Sequence, residues 1–90
     1  MKKHRIYYIF SGDVQEVGFR NAAYQAAIQL GIIGWVKNCC DGTVEMEAQG
    51  FLSDLEELLS EIQSSMFISA DNIESKEIDI IDEQEFHIKY

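Results

Sequence analysis

The sequence predicts an α+β fold, a sandwich in which two helices cover one face of an antiparallel sheet, and three observations predict it. The spacing of apolar residues changes between strand and helix periods in the order strand, helix, strand, strand, helix, strand. Between the second and third strand patterns stands Asp41-Gly42, a hairpin dipeptide whose residues tolerate positive φ. The third strand alternates polar with apolar residues, so one side of the sheet is expected to meet water while the helices share the other.

Residues 5–11, RIYYIFS, carry aromatic and β-branched side chains on both faces, which suits a strand near the middle of the sheet. From Phe19 the apolar positions become Ala22, Ala23, Ala26, Ala27 and Leu30. This is helical spacing, with small residues that allow close packing on a sheet, and Gly31 stands where a helix stops. Residues 32–39, IIGWVKNC, return to strand character, with Trp35 expected to fill the core. In TVEMEAQG, Thr43, Glu45, Glu47 and Gln49 alternate with Val44, Met46, Ala48 and Gly50. Ser53 followed by Glu56 is a capping-box pattern, opening a helix whose Leu52, Leu55, Leu59, Ile62 and Met66 form one stripe. The tail, NIESKEIDII and FHIKY, reads as one or two further strands, so the order βαββαβ leaves room for an extra C-terminal strand. That order is the ferredoxin-like α/β sandwich.

Ninety residues fit one small domain, 1–90, with a single core. No stretch approaches the roughly 18 consecutive apolar residues that a membrane span needs, and the short apolar run after the basic start lacks a small-residue cleavage site. A soluble cytoplasmic protein that does not engage membranes is the expectation. The net charge of −9 repels a phosphate backbone, so nucleic acid is not an expected partner. Cys39 and Cys40 are adjacent, which strains an intrachain bridge and falls short of a four-ligand metal site; reduced thiols are expected.

GDVQEVGFR, residues 12–20, joins the first strand to the first helix. The first N–H groups of a helix have no intrahelical partners, and its dipole leaves partial positive charge there. Gly12 and Gly18 allow the backbone to turn its amides inward from Gln15 to Arg20, and Arg20 can fork onto two oxygens of an anion. The GK[ST] of a nucleotide-binding P-loop is absent. Taken alone, such a turn is more often a simple connection and Arg20 a solvated helix residue, and Asn38 beside a hairpin is commonly a turn residue.

Two segments together carry a resemblance. GDVQEVGFR and LGIIGWVKNCCDGTVEMEAQG resemble the acylphosphatase family, whose signatures have the forms G-x-V-Q-G-V-G-F-R and G-W-V-x-N-x-x-x-G-x-V; FHIKY is similar to the family's terminal strand. The resemblance spans essentially the whole chain. It implies a ferredoxin-like sandwich and hydrolysis of a small acyl phosphate to carboxylate and inorganic phosphate, by a monomer without metal, cofactor or covalent intermediate. The arginine that binds the phosphoryl group matches Arg20, and the asparagine that orients the attacking water matches Asn38. The phosphate-binding loop matches Gln15, Glu16, Val17, Gly18 and Phe19.

One position departs from the family pattern: Glu16 stands where the signature has glycine. A carboxylate about 6 Å from a bound phosphate opposes it by about 3 kcal/mol at an effective dielectric of about 20, and by well under about 1 kcal/mol at roughly 10 Å in water. An outward-pointing Glu16 is therefore expected. The alternative is a catalytically weak phosphate- or anion-binding module of the same fold. Asp13 is expected as a turn residue, Ser11 as a strand-end hydroxyl without a nucleophile's partners, and His4 and His87 as surface residues. The acidic run from Asp71 to Glu85 is expected as a solvated face or edge strand.

Overall fold

A computed structural model describes residues 2–15, 18–65 and 69–90. Its elements are β1 (Lys3–Asp13), α1 (Phe19–Leu30), β2 (Ile33–Asn38), β3 (Val44–Phe51), α2 (Leu52–Ser64), β4 (Ser69–Ile78) and β5 (Phe86–Lys89). Among the described residues the sheet has five strands in the order β4-β1-β3-β2-β5. The first four are antiparallel neighbours, as the ferredoxin-like order requires. The extra C-terminal strand is present and runs parallel to β2, which makes the sheet mixed.

The core lies between the sheet and the helices. Tyr8 and Phe10 of β1, Val36 of β2, and Val44, Met46 and Ala48 of β3 meet Ala23, Ala26 and Ala27 of α1 and Leu55, Leu58 and Ile62 of α2. Alanines on α1 bring its backbone close to the sheet. Gly31 ends that helix in the left-handed region, φ 70°, and Ile32 N donates back to Ala27 O at 2.9 Å. Phe86 anchors β5 in the core, its ring centroid 6.5 Å from that of Tyr24. At Gly34, φ 140°, a Cβ would stand 1.9 Å from Glu47 O, so β2 and β3 approach more closely than a side chain permits.

Several expectations change. Helix α2 begins at Leu52 directly after an extended Phe51, without a side-chain cap bond. The Ser53–Glu56 capping box therefore does not form: β3 runs into the helix with no intervening loop, which puts Ser53 inside the first turn. Leu52 is 47% exposed, so the buried stripe is Leu55, Leu58 and Ile62 with Leu59 partly buried. Met66 lies outside the described residues. Trp35 is not in the core but half-buried on the sheet face away from the helices, with Lys89 Nζ 4.3 Å from its ring centroid. The hairpin is a three-residue loop: Gly42 N donates to Cys39 O at 3.2 Å and Cys39 N to Thr43 O at 2.9 Å, with Gly42 at φ 91°.

The face expected to meet water is covered at one end by residues 79–85, which connect β4 to β5. Gln49 pairs with this strap like a strand edge: Nε2 donates to Ile81 O at 3.0 Å and Oε1 accepts from Ile81 N at 3.1 Å. Beneath the strap Arg5 is 1% exposed. Its Nε and Nη2 approach Glu47 Oε1 at 2.9 and 2.8 Å, and its Nη1 reaches Gln49 Oε1 at 3.1 Å and Glu83 Oε1 at 2.9 Å. A buried guanidinium with two carboxylates and an amide has its charge and most of its donors matched.

Candidate active site

The connection from β1 to α1 is pinned at both ends. Val14 is fully buried, and its N–H donates to Gly12 O at 3.0 Å. Phe19, the first residue of α1, is 2% exposed, and its ring centroid stands 4.7 Å from that of Phe10. Burying Phe19 turns the next residue, Arg20, toward the mouth of a cavity of about 240 Å³. Gly18 caps the helix at φ 82° with no side-chain cap bond, and the first helical bond runs from Ala22 N to Gly18 O at 2.9 Å. The N–H groups of Phe19, Arg20 and Asn21 consequently lack intrahelical acceptors, and no acidic residue occupies that turn.

Three other elements close the cavity. Val14 lines its floor side, Asn38 enters from the end of β2, and Ile88 and Tyr90 come from β5 and the residue after it. Arg20 and Asn38 thus line one cavity. Asn38 Oδ1 is buried without a hydrogen-bond partner among the described residues. No carboxylate among them lies within ion-pair distance of Arg20, whose guanidinium carbon instead sits 4.9 Å from the centroid of the Tyr90 ring. A guanidinium with no carboxylate partner among the described residues, helix-start amides without intrahelical acceptors and an amide oxygen without a partner among those residues line one small cavity, and together they can receive an anion with a hydrogen-bond donor such as water.

Of the expected loop residues, Gly18 and Phe19 line the cavity, while Glu16 and Val17 lie outside the described residues. Gln15 is not in the lining; its side chain turns to the β2–β3 hairpin, Nε2 donating to Cys39 O at 2.7 Å and Thr43 O at 2.8 Å. Asn21, Val14, Ile88 and Tyr90 went unidentified from sequence. Asn21 carries a readable signal, since it shares the first helical turn with Arg20; the β5 residues carry none, because only the parallel pairing brings them here.

The titratable groups nearby belong to the hairpin. Burial raises the Cys39 thiol above its ordinary value, and Thr43 bonds hold the Asp41 carboxyl below its own. Asp41 Oδ1 accepts from Thr43 N at 3.0 Å and Thr43 Oγ1 at 2.7 Å, which fixes the turn. Cys39 and Cys40 are free thiols. His4 Nδ1 contacts Glu77 Oε2 at 2.9 Å, and its strand is separated from that of His87 by β3 and β2. Among the described residues no group of three or more His, Cys, Asp or Glu is placed to hold a metal ion, and no helix is long and apolar enough to cross a membrane.

Comparisons with known proteins agree with this architecture. The family model described as Acylphosphatase matches residues 6–88. The acylphosphatase of Geobacillus thermodenitrificans is 41% identical over 88 residues, which span 96% of this chain and 94% of that protein. The crystal structure of acylphosphatase from Bacillus subtilis superposes with a TM-score of 0.89 at 31% identity, covering 97% of this chain and 99% of that one. An acylphosphatase structure from Coxiella burnetii gives a TM-score of 0.89 at 30% identity, covering 97% and 93%. With the fold, the two signature segments and these relatives in agreement, the chain belongs to the acylphosphatase family.

Proposed function

We propose that this protein hydrolyses the carboxyl–phosphate bond of small acyl phosphates, giving a carboxylate and inorganic phosphate. The observation that carries the reading is the shared cavity: the Arg20 guanidinium and the Asn38 Oδ1, each without a polar side-chain partner among the described residues, face one space at the start of α1. In this reading the N–H groups of Phe19, Arg20 and Asn21, which lack intrahelical acceptors, receive the phosphoryl oxygens together with the Arg20 fork. Asn38 Oδ1 accepts a hydrogen bond from the attacking water. The water oxygen bonds to phosphorus while the bond from phosphorus to the acyl oxygen breaks, and its electron pair leaves on the carboxylate.

A carboxylate is a good leaving group, so no strong general acid is required, and positioning with charge stabilisation carries the rate. Asn38 has no titratable proton, and the water's proton passes to an oxygen of the substrate phosphate. The charge of −9 supports a small-molecule rather than a nucleic-acid partner. Free thiols at Cys39 and Cys40 suit the reducing cytoplasm.

Benzoyl phosphate hydrolysis tests the reading. Arg20→Ala and Asn38→Ala are each expected to lower kcat by about a hundredfold or more, while inorganic phosphate binding is lost only in the Arg20 variant. Wild-type protein that binds phosphate but shows no turnover would overturn it.

A further inference from the structure

Gln15, though outside the cavity lining, touches the hairpin that carries Asn38. Its side-chain amide donates to two carbonyls, Cys39 O and Thr43 O, at 2.7 and 2.8 Å. These flank the turn between β2 and β3, and Cys39 directly follows Asn38. Neither carbonyl depends on Gln15, because Gly42 N donates to Cys39 O and Cys39 N to Thr43 O. The hairpin is closed by its own backbone. What the Gln15 bonds add is a fixed separation between the hairpin and the segment leading into α1. On that side Gln15 directly follows the fully buried Val14, so the clamp springs from a point anchored in the core.

We propose that Gln15 is a positioning residue: its carboxamide locks the segment before α1 to the β2–β3 turn and so sets Asn38 against the anion held at the start of the helix. The role rests on the hydrolase reading above. Positioning errors of about 1 Å cost catalysis up to about a hundredfold while leaving binding contacts largely intact. Gln15→Met preserves length and bulk but removes both donors.

The experiment measures kcat for benzoyl phosphate and the Kd for inorganic phosphate in wild type and Gln15→Met, together with solvent exchange of the Gln15 side-chain amide protons in wild type by NMR. The expected result is a kcat lowered about tenfold or more with phosphate Kd changed less than about threefold, and slow exchange of both protons. An unchanged kcat, or kcat and phosphate binding falling together, overturns the positioning role. Should wild type show no turnover, the hydrolase reading fails by itself; exchange at the rate of a free glutamine then overturns the clamp, and slow exchange upholds it. The exchange measurement also decides the matter if the variant does not fold.

Discussion

Arg20 is aimed into the cavity by the burial of its neighbour's ring. Phe19 inserts beside Phe10 and fixes the rotation of the first helical turn, so the guanidinium is aimed by core packing. Phe19→Ala is expected to destabilise the fold by about 3–5 kcal/mol, read from urea unfolding, and to weaken phosphate binding as the turn loosens. Glu16→Gly removes one negative charge from the signature loop and is expected to tighten phosphate binding, measured by calorimetric titration; unchanged or weaker binding would count against a repulsive role. Arg20 and Asn38 stand out in the sequence through the two signature segments that resemble the family, because local spacing alone leaves one a solvated helix residue and the other a hairpin residue; the structure places both on one cavity. The Gln15 clamp was not legible, since a side-chain amide reaching 24 and 28 residues along the chain leaves no periodicity.

Strand β5 is the element that completes the cavity, and its course depends on the strap before it. The acidic run from Asp71 to Glu85 reads as a solvated face or edge strand, and β4 does take the sheet edge; in the strap beyond it, however, Glu83 is a partner of Arg5, 78 residues away, and Gln49 forms a strand-like pair with Ile81. The sequence offers no clue to this pairing, since Arg5 continues the basic start of β1 after Lys3 and His4 and nothing in the pattern names its partners. Arg5→Met leaves Glu47 and Glu83 facing each other without a cation. It is expected to cost about 3 kcal/mol, seen as a lower urea midpoint. The failed capping box teaches the same lesson at α2: the pattern identified the helix, and the uninterrupted passage from β3 decided where it starts.

Across the whole molecule, hydrogen bonding and burial set the pH range of the fold. Tyr7 is raised to about 12, chiefly because its hydroxyl donates to Glu45, and Tyr8 is raised to about 12 by burial. A raised phenol binds its proton more tightly folded than unfolded, so this stability is complete below the ordinary value of 10.0 and is lost as the pH rises toward about 12. Glu45 runs the other way: the Tyr7 bond lowers its pKa, so its contribution is complete above 4.5 and is lost as the pH falls below that value. Alkaline titration is expected to show two of the four tyrosines forming phenolate late, together with unfolding; Tyr7→Phe should remove one of them. The sandwich itself was legible because its alternating and helical periods are strong and its antiparallel strands are joined locally. The parallel β2–β5 pairing was not, since a four-residue strand can join either edge.

The strap also determines how the protein meets a protease. Ile80 and Ile81 are about half exposed in irregular backbone, an inviting place for a nick, while the Arg5 and Gln49 tethers hold that backbone against the strand extension a cleft demands. Cleavage there is expected to be slow in wild type and rapid in Arg5→Met, and each cut severs the covalent link to the fragment bearing Ile88 and Tyr90.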